Sequence, residues 1–281
     1  MESGDPLVTA QWLKENISAP DVRVVDATWI PPFLNRDETG RQLWSNCHIP
    51  GAVHFDIDAI KAGGTDLPHM LPDPVMFSSR VRKLGIGDGN RIVVYDQFNM
   101  FGAARVWWML RVMGHQDVKV LDGGLQAWID VGGETEDMPP VPMERHFTAR
   151  VRSDLVKDVT QMVAASEGKT HTIIDARSKD RFTGEAPEPR EGLPSGHIPG
   201  SISVPSSMLS DESGKMKSAD ALKPLFPDTS RPLITTCGSG VSAAVTALAL
   251  ARLGNWDVAV YDGSWTEWAS DSSRPIATGE A

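Results

Sequence analysis

Cysteine is scarce. The 281-residue chain holds two, Cys47 and Cys237, far apart in sequence, and two cysteines in a chain this long do not make a disulfide framework. Reduced thiols are the simpler reading. Basic residues are outnumbered, 27 Lys and Arg against 37 Asp and Glu, for a net charge of -10. That balance argues against a polyanion partner, because nucleic-acid binding rests on neutralising phosphates with clustered Lys and Arg. It leaves room for a local basic pocket that takes a small anion. Long apolar runs are missing too: the longest, VSAAVTALALA from Val241, falls well short of the roughly 20 residues that a spanning helix needs. The opening segment MESGDPLVTAQWLKEN carries Glu2 and Asp5 and has neither the basic start nor the apolar core of a secretory or transit signal. The expectation is a cytoplasmic protein with no membrane and no nucleic acid among its partners.

Hydrophobic residues at 41% and charged residues at 23% fit an ordinary globular protein, and the length suggests two domains of about 100 to 150 residues. The chain is in fact written twice. VVDA (Val24 to Ala27), HIPGAV (from His48), IVVYD (ending at Asp96) and LDGGLQAW (from Leu121) return in the same order as IIDA (Ile173 to Ala176), HIPGSI (from His197), LITTC (ending at Cys237) and YDGSWTEW (from Tyr261). Asp175 minus Asp26 and His197 minus His48 both give 149, and Asp262 minus Asp122 gives 140. Between the copies lies MPPVPMERHF, whose prolines lack donors and hold the chain extended. The expected division is a first domain over 1–138, a linker over 139–153 and a second domain over 154–281. Short β-branched runs alternate with longer helical patterns in each copy, which predicts an α/β fold, a mostly parallel central sheet flanked by helices. Ligands bind such sheets beyond the carboxyl ends of the strands.

Cys237 sits at one of those ends, in LITTCGSGVSAA. Gly238 and Gly240 allow backbone angles closed to residues with a Cβ, so the loop can curl until successive N–H groups face one point. Val241, Ser242 and the residues after them supply a helix whose N-terminal N–H groups and dipole also favour negative charge. Such a cradle favours thiolate over thiol and has room for a second sulfur carried on Cys237 as a persulfide anion. In the first copy Asp96 stands in its place, within DQFNMFGAAR, which has no thiol. Sulfur chemistry is therefore expected in the second copy.

Six segments in one order, WSNCHIPGAV, PHMLPDP, IDARSKDRF, EPREGLPSGHIPG, CGSGVSA and VYDGSWTEW, resemble the tandem-domain rhodanese family, and more closely its 3-mercaptopyruvate sulfurtransferase branch. The resemblance implies two rhodanese-like domains, a catalytic cysteine in the second, a persulfide intermediate, and no metal or organic cofactor. Thiosulfate-type members usually carry basic side chains in the active-site loop, whereas Gly238 and Ser242 are uncharged, so the loop looks like the mercaptopyruvate type. Trp44 departs from the Phe or Tyr usual in the first signature, and Ser242 from the commoner Thr.

By the same resemblance Arg181 and Arg190 clamp the donor's carboxylate, a task suited to the bidentate guanidinium fork. Ser239, His69 and Asp58 relay a proton to the enolate left when the donor's C–S bond breaks, and that relay draws on both copies. The implied reaction moves sulfur from 3-mercaptopyruvate to Cys237 with release of pyruvate, then to an acceptor such as thioredoxin, glutathione or cyanide. The alternatives are a thiosulfate sulfurtransferase and a non-catalytic binding module that has lost its thiol, as the first copy has. A cysteine phosphatase is disfavoured because no arginine closes the loop after Cys237. His48 and His197, present in both copies, read as structural, and the tryptophans of VWWML and SWTEW as core.

Overall fold

A computed structural model describes residues 4–226 and 229–280, so that the outer ends of the two expected domains, residues 1–3 and 281, lie outside it. The β-branched runs form ten strands: β1 Leu7–Val8, β2 Val22–Asp26, β3 Val53–His54, β4 Arg91–Tyr95, β5 Val118–Leu121, β6 Val156–Lys157, β7 Thr172–Asp175, β8 Ser201–Ser203, β9 Leu233–Thr236 and β10 Ala259–Tyr261. They build two five-stranded sheets, ordered β1-β5-β4-β2-β3 and β6-β10-β9-β7-β8, and each strand pairing in them is parallel. The second sheet repeats the order of the first, strand for strand. The fold is the α/β arrangement that the alternating patterns predict.

A parallel sheet covered by helices on both faces is buried on both faces, so its strands read as continuous apolar runs rather than as alternating ones. All four residues of TIID and all four of LITT are buried. The helices that follow β4 and β9 obey the same logic. Phe101–Val112 and Val241–Arg252 are buried along nearly their whole length, and the first carries Arg105 and Arg111 into the core stacked over Trp108 and Trp107. Trp107 and Trp108 are fully enclosed there, as are Trp265 and Trp268 in the second sheet's core. Among the described residues, no helix is long and apolar enough to cross a membrane.

The chain divides into two compact units that depart from chain order at two places. Unit 1 comprises Met1–Gly63, Leu71–Arg152 and Asp211–Met216; unit 2 comprises Gly64–Met70, Ser153–Ser210 and Lys217–Ala281. The proline-rich stretch after Met138 forms no helix or strand, as its missing donors require, but it is fastened to unit 1. Arg145 donates to Arg82, Arg150 to Met113 and Arg152 to Val112 through backbone N–H groups, while Phe147 packs on Phe77 and His115. The two HIPG turns are anchored by their histidines. His48 Nδ1 lies 2.7 Å from the Trp44 carbonyl and His197 Nδ1 lies 2.8 Å from that of Phe182, with the His197 ring stacked on Phe182 at 3.7 Å.

Candidate active site

β9 delivers Cys237 to the carboxyl edge of the second sheet, where the residue is 2% exposed. The backbone then turns through Gly240 at φ 79°, a left-handed angle that an L side chain would strain, and enters the helix Val241–Arg252. No side chain caps that helix, and the first N–H groups of a helix have no partner within it. The Gly240 N–H donates to Cys237 Sγ at 3.2 Å. Ser239 and Val241 are buried beside it and Ser242 is half-buried.

The turn after β10 holds the thiol loop from beneath. Ser264 Oγ accepts from the Cys237 N–H at 3.2 Å and donates a hydrogen bond to the Tyr261 carbonyl at 2.8 Å. It does so at φ 52°, a left-handed conformation for a residue with a Cβ. The Trp265 N–H reaches the Cys237 carbonyl at 2.9 Å. Thr266 grips the Gly238 carbonyl twice, through its N–H at 3.0 Å and its hydroxyl at 2.6 Å.

Both candidate arginines reach this loop. A Cβ built on Gly238 would stand 3.3 Å from Arg181 Nη2 and 3.8 Å from Arg190 Nη1, so both guanidinium groups lie against the backbone at 238, Arg181 the more tightly. Arg181, on the short helix Lys179–Thr183, is oriented by Glu188, which it meets through Nε at 3.1 Å and Nη2 at 2.5 Å. Glu188 also takes Arg177 Nη1 at 2.8 Å, and Arg177 holds both oxygens of Asp175 and the Gly196 carbonyl. Burial alone would push the Arg177 guanidinium down; the Asp175 and Glu188 charges outweigh it and hold it above its ordinary value. Its plane lies 4.3 Å over the Trp265 ring, an arrangement that favours the cation.

Arg177, Glu188, Ser264 and Thr266 were not singled out by sequence reasoning. One signal was available: Arg177 directly follows IIDA, where the first copy has the uncharged Thr28 after VVDA. A charge confined to the thiol-bearing copy marks a role that the fold alone does not require.

The three relay candidates lie apart in the chain. Ser239 and His69 belong to unit 2; His69 is buried and holds φ 59°. Asp58 belongs to unit 1, where it accepts from Trp29 Nε1 at 3.0 Å and sits 3.4 Å from Lys61 Nζ. The local capping task in FDID falls to Asp56, which accepts from the N–H groups of Asp58 and Ala59.

The first copy has closed its own cradle. Asp96 takes N–H groups of Phe98 and Met100 at 3.1 Å and of Ala103 at 3.0 Å. Burial pushes its carboxyl up to about 6, against the pull of those three donors. Its loop keeps Asn99 and Met100 at positive φ to bring the donors round.

Comparison with known proteins agrees with this reading of the repeat. Residues 9–130 and 157–271 each match the Rhodanese-like domain model. The chain is 41% identical to the 3-mercaptopyruvate sulfurtransferase of Escherichia coli K12, over 96% of each protein. It is 39% identical to the thiosulfate sulfurtransferase of Gallus gallus, over 94% of this chain and 93% of that one. The crystal structure of SseA from Escherichia coli, described as a 3-mercaptopyruvate sulfotransferase, superposes with a TM-score of 0.85 at 40% identity, covering 93% of this chain and 99% of that chain. Likeness over nearly the whole length, in sequence and in both sheets, leaves one conclusion about descent: the chain belongs to the rhodanese family, as a member with two copies of the domain.

Proposed function

We propose that this chain is a sulfurtransferase that takes sulfur from 3-mercaptopyruvate, holds it on Cys237 as a persulfide and passes it to a thiol such as thioredoxin or glutathione, or to cyanide. The observation that carries the donor is the pair Arg181 and Arg190 beside an uncharged Gly238. Arg190, with the Nη1 side of an Arg181 whose Nε and Nη2 are held by Glu188, brings positive charge to a loop with no basic side chain of its own, which suits a carboxylate held away from the reacting sulfur. The names of relatives such as that from Escherichia coli support the same donor.

In the first half-reaction the Cys237 thiolate attacks the donor sulfur. A new S–S bond forms, the C–S bond breaks, and its electron pair leaves on carbon as the enolate of pyruvate. Ser239, backed by His69 and Asp58, relays the proton that the donor's thiol carried to that carbon, which completes pyruvate and leaves the persulfide as an anion. The N–H groups at Gly240 and the start of the helix Val241–Arg252 hold the persulfide's charge until the acceptor attacks its outer sulfur. A reducing compartment such as the cytoplasm suits the two unpaired thiols. A thiosulfate donor is the second reading, favoured by the name of the Gallus gallus relative and by the same two cations, which also suit a dianion. Intact mass after incubation with each donor, together with steady-state rates on both, tests the proposal. One added sulfur with 3-mercaptopyruvate and a higher kcat/KM for it are expected; better turnover of thiosulfate favours the second reading.

Two substitutions separate binding from chemistry. Removing one partner of a desolvated charged hydrogen bond costs about 2 to 5 kcal/mol. Arg190→Ala is therefore expected to lower kcat/KM for 3-mercaptopyruvate by roughly 30-fold or more, and for thiosulfate by less. Equal losses on the two donors, in a folded variant, would remove the carboxylate role. His69→Ala is expected to slow the single-turnover step more than it weakens donor binding. An unchanged single-turnover rate would sink the relay.

A further inference from the structure

The turn after β10 does more than fill the core with tryptophan. The helix Ser264–Ala269 begins there, and the first N–H groups of any helix lack partners within it. Two of them, on Trp265 and Thr266, find the carbonyls of Cys237 and Gly238. A trans peptide is planar, with its C=O and N–H pointing opposite ways. Holding the Cys237 carbonyl against Trp265 therefore turns the Gly238 N–H away from that helix, and holding the Gly238 carbonyl against Thr266 turns the Ser239 N–H the same way.

The two fastenings differ in their distribution between the copies. The backbone one is shared: the Leu125 N–H donates to the Asp96 carbonyl at 3.2 Å, as Trp265 does to Cys237 at 2.9 Å. The side-chain one is confined to the copy with the thiol. Position 126, which is 266 minus 140, holds Gln126, whose side chain turns outward to Asp130 at 2.8 Å. The Thr266 hydroxyl instead meets the Gly238 carbonyl at 2.6 Å, in addition to the Thr266 N–H on the same oxygen. A carbonyl that accepts two hydrogen bonds polarises its peptide and makes the N–H at the other end a stronger donor.

We infer that Thr266 is a positioning residue: its hydroxyl, acting through the Gly238–Ser239 peptide, aims and strengthens an N–H donor for the negative charge on Cys237. The inference rests on the reading of Cys237 as the sulfur carrier, but its test uses no sulfur donor. In a Cys47→Ser background, which leaves Cys237 as the single thiol, alkylation by iodoacetamide is followed by intact mass from about pH 5 to 9. Thr266→Val keeps the shape and the backbone N–H while deleting the hydroxyl; Thr266→Ser restores it.

On the acid limb, where the thiolate fraction sets the rate, Thr266→Val is expected to react about three- to tenfold more slowly than the parent. The difference should close at alkaline pH, and Thr266→Ser should follow the parent. Coincident acid limbs for Thr266→Val and the parent would overturn the inference. So would a Thr266→Ser variant as slow as Thr266→Val, which would assign the effect to packing of the methyl. Thr266→Ala replaces the valine variant if that one does not fold, with the same two outcomes. A protein that takes no sulfur from 3-mercaptopyruvate would defeat the donor assignment and leave this comparison standing.

Discussion

Cys237→Ser is expected to reduce pyruvate release by at least about a thousandfold, with no sulfur added to the protein on incubation with 3-mercaptopyruvate. The oxygen of serine is a weak nucleophile without a base at hand, and the loop offers donors that stabilise an anion rather than an acceptor that removes a proton. Cys47→Ser should retain most activity and should still gain one sulfur by intact mass. Cys47 is half-buried at the end of the helix Gly40–Asn46, with its backbone N–H on the Leu43 carbonyl, and its place in the chain carries no Gly-Ser-Gly loop. A thiol supplied at 96 is not expected to rescue Cys237→Ser. The three N–H groups there are met by carboxylate oxygens, and a thiol sulfur is one bond short of them. Sulfur found on Cys47, with turnover surviving the loss of Cys237, would reject the assignment.

Arg177→Ala is expected to cost unit 2 about 3 to 5 kcal/mol, the usual result of breaking a buried ion pair. Its side chain is fully buried, between Asp175 at 1% exposure and Glu188 at 2%. Truncation leaves the Asp175 carboxylate in a dry core with no cation and strips the Gly196 carbonyl of its donor. For a domain of this size the loss corresponds to a fall in Tm of about 10 to 20 °C. Arg177→Lys should recover little, because one ammonium cannot supply donors to Asp175, Glu188 and Gly196 in the planes where Nε, Nη1 and Nη2 now stand. Urea unfolding measures both. A loss under about 1 kcal/mol for Arg177→Ala would show that the carboxylates find other partners.

The repeat, the parallel sheets and the thiol loop were legible in the sequence because their signals are local: apolar runs, Gly-Ser-Gly, and motifs recurring at an offset of 149. The supports of the loop were not. Thr266 and Gly238 are 28 positions apart, and Arg177 and Glu188 are 11 apart. What brings such pairs together is strand register, which sets Asp175 against Thr236 at the sheet edge, and register is a property of paired strands rather than of any one segment. YDGSWTEW read as core because its tryptophans dominate its composition; the hydroxyls of Ser264 and Thr266, which hold the loop, have no such signature. The proline stretch shows the same limit. Composition predicts extended chain, but not that Arg145, Arg150 and Arg152 fasten it to unit 1.

In the first half a side chain of the chain itself fills the space that the sister loop leaves around a thiol. Three N–H groups close on the Asp96 carboxyl. The first half is thus a plugged version of the same loop, and its plug cannot diffuse away. Such a loop serves rigidity rather than reactivity, and it holds the bulky Phe98 and Met100 while their N–H groups close on the carboxylate. A single substitution at 96 would leave those donors without the acceptor they surround, so this half resists becoming a second reactive centre one residue at a time.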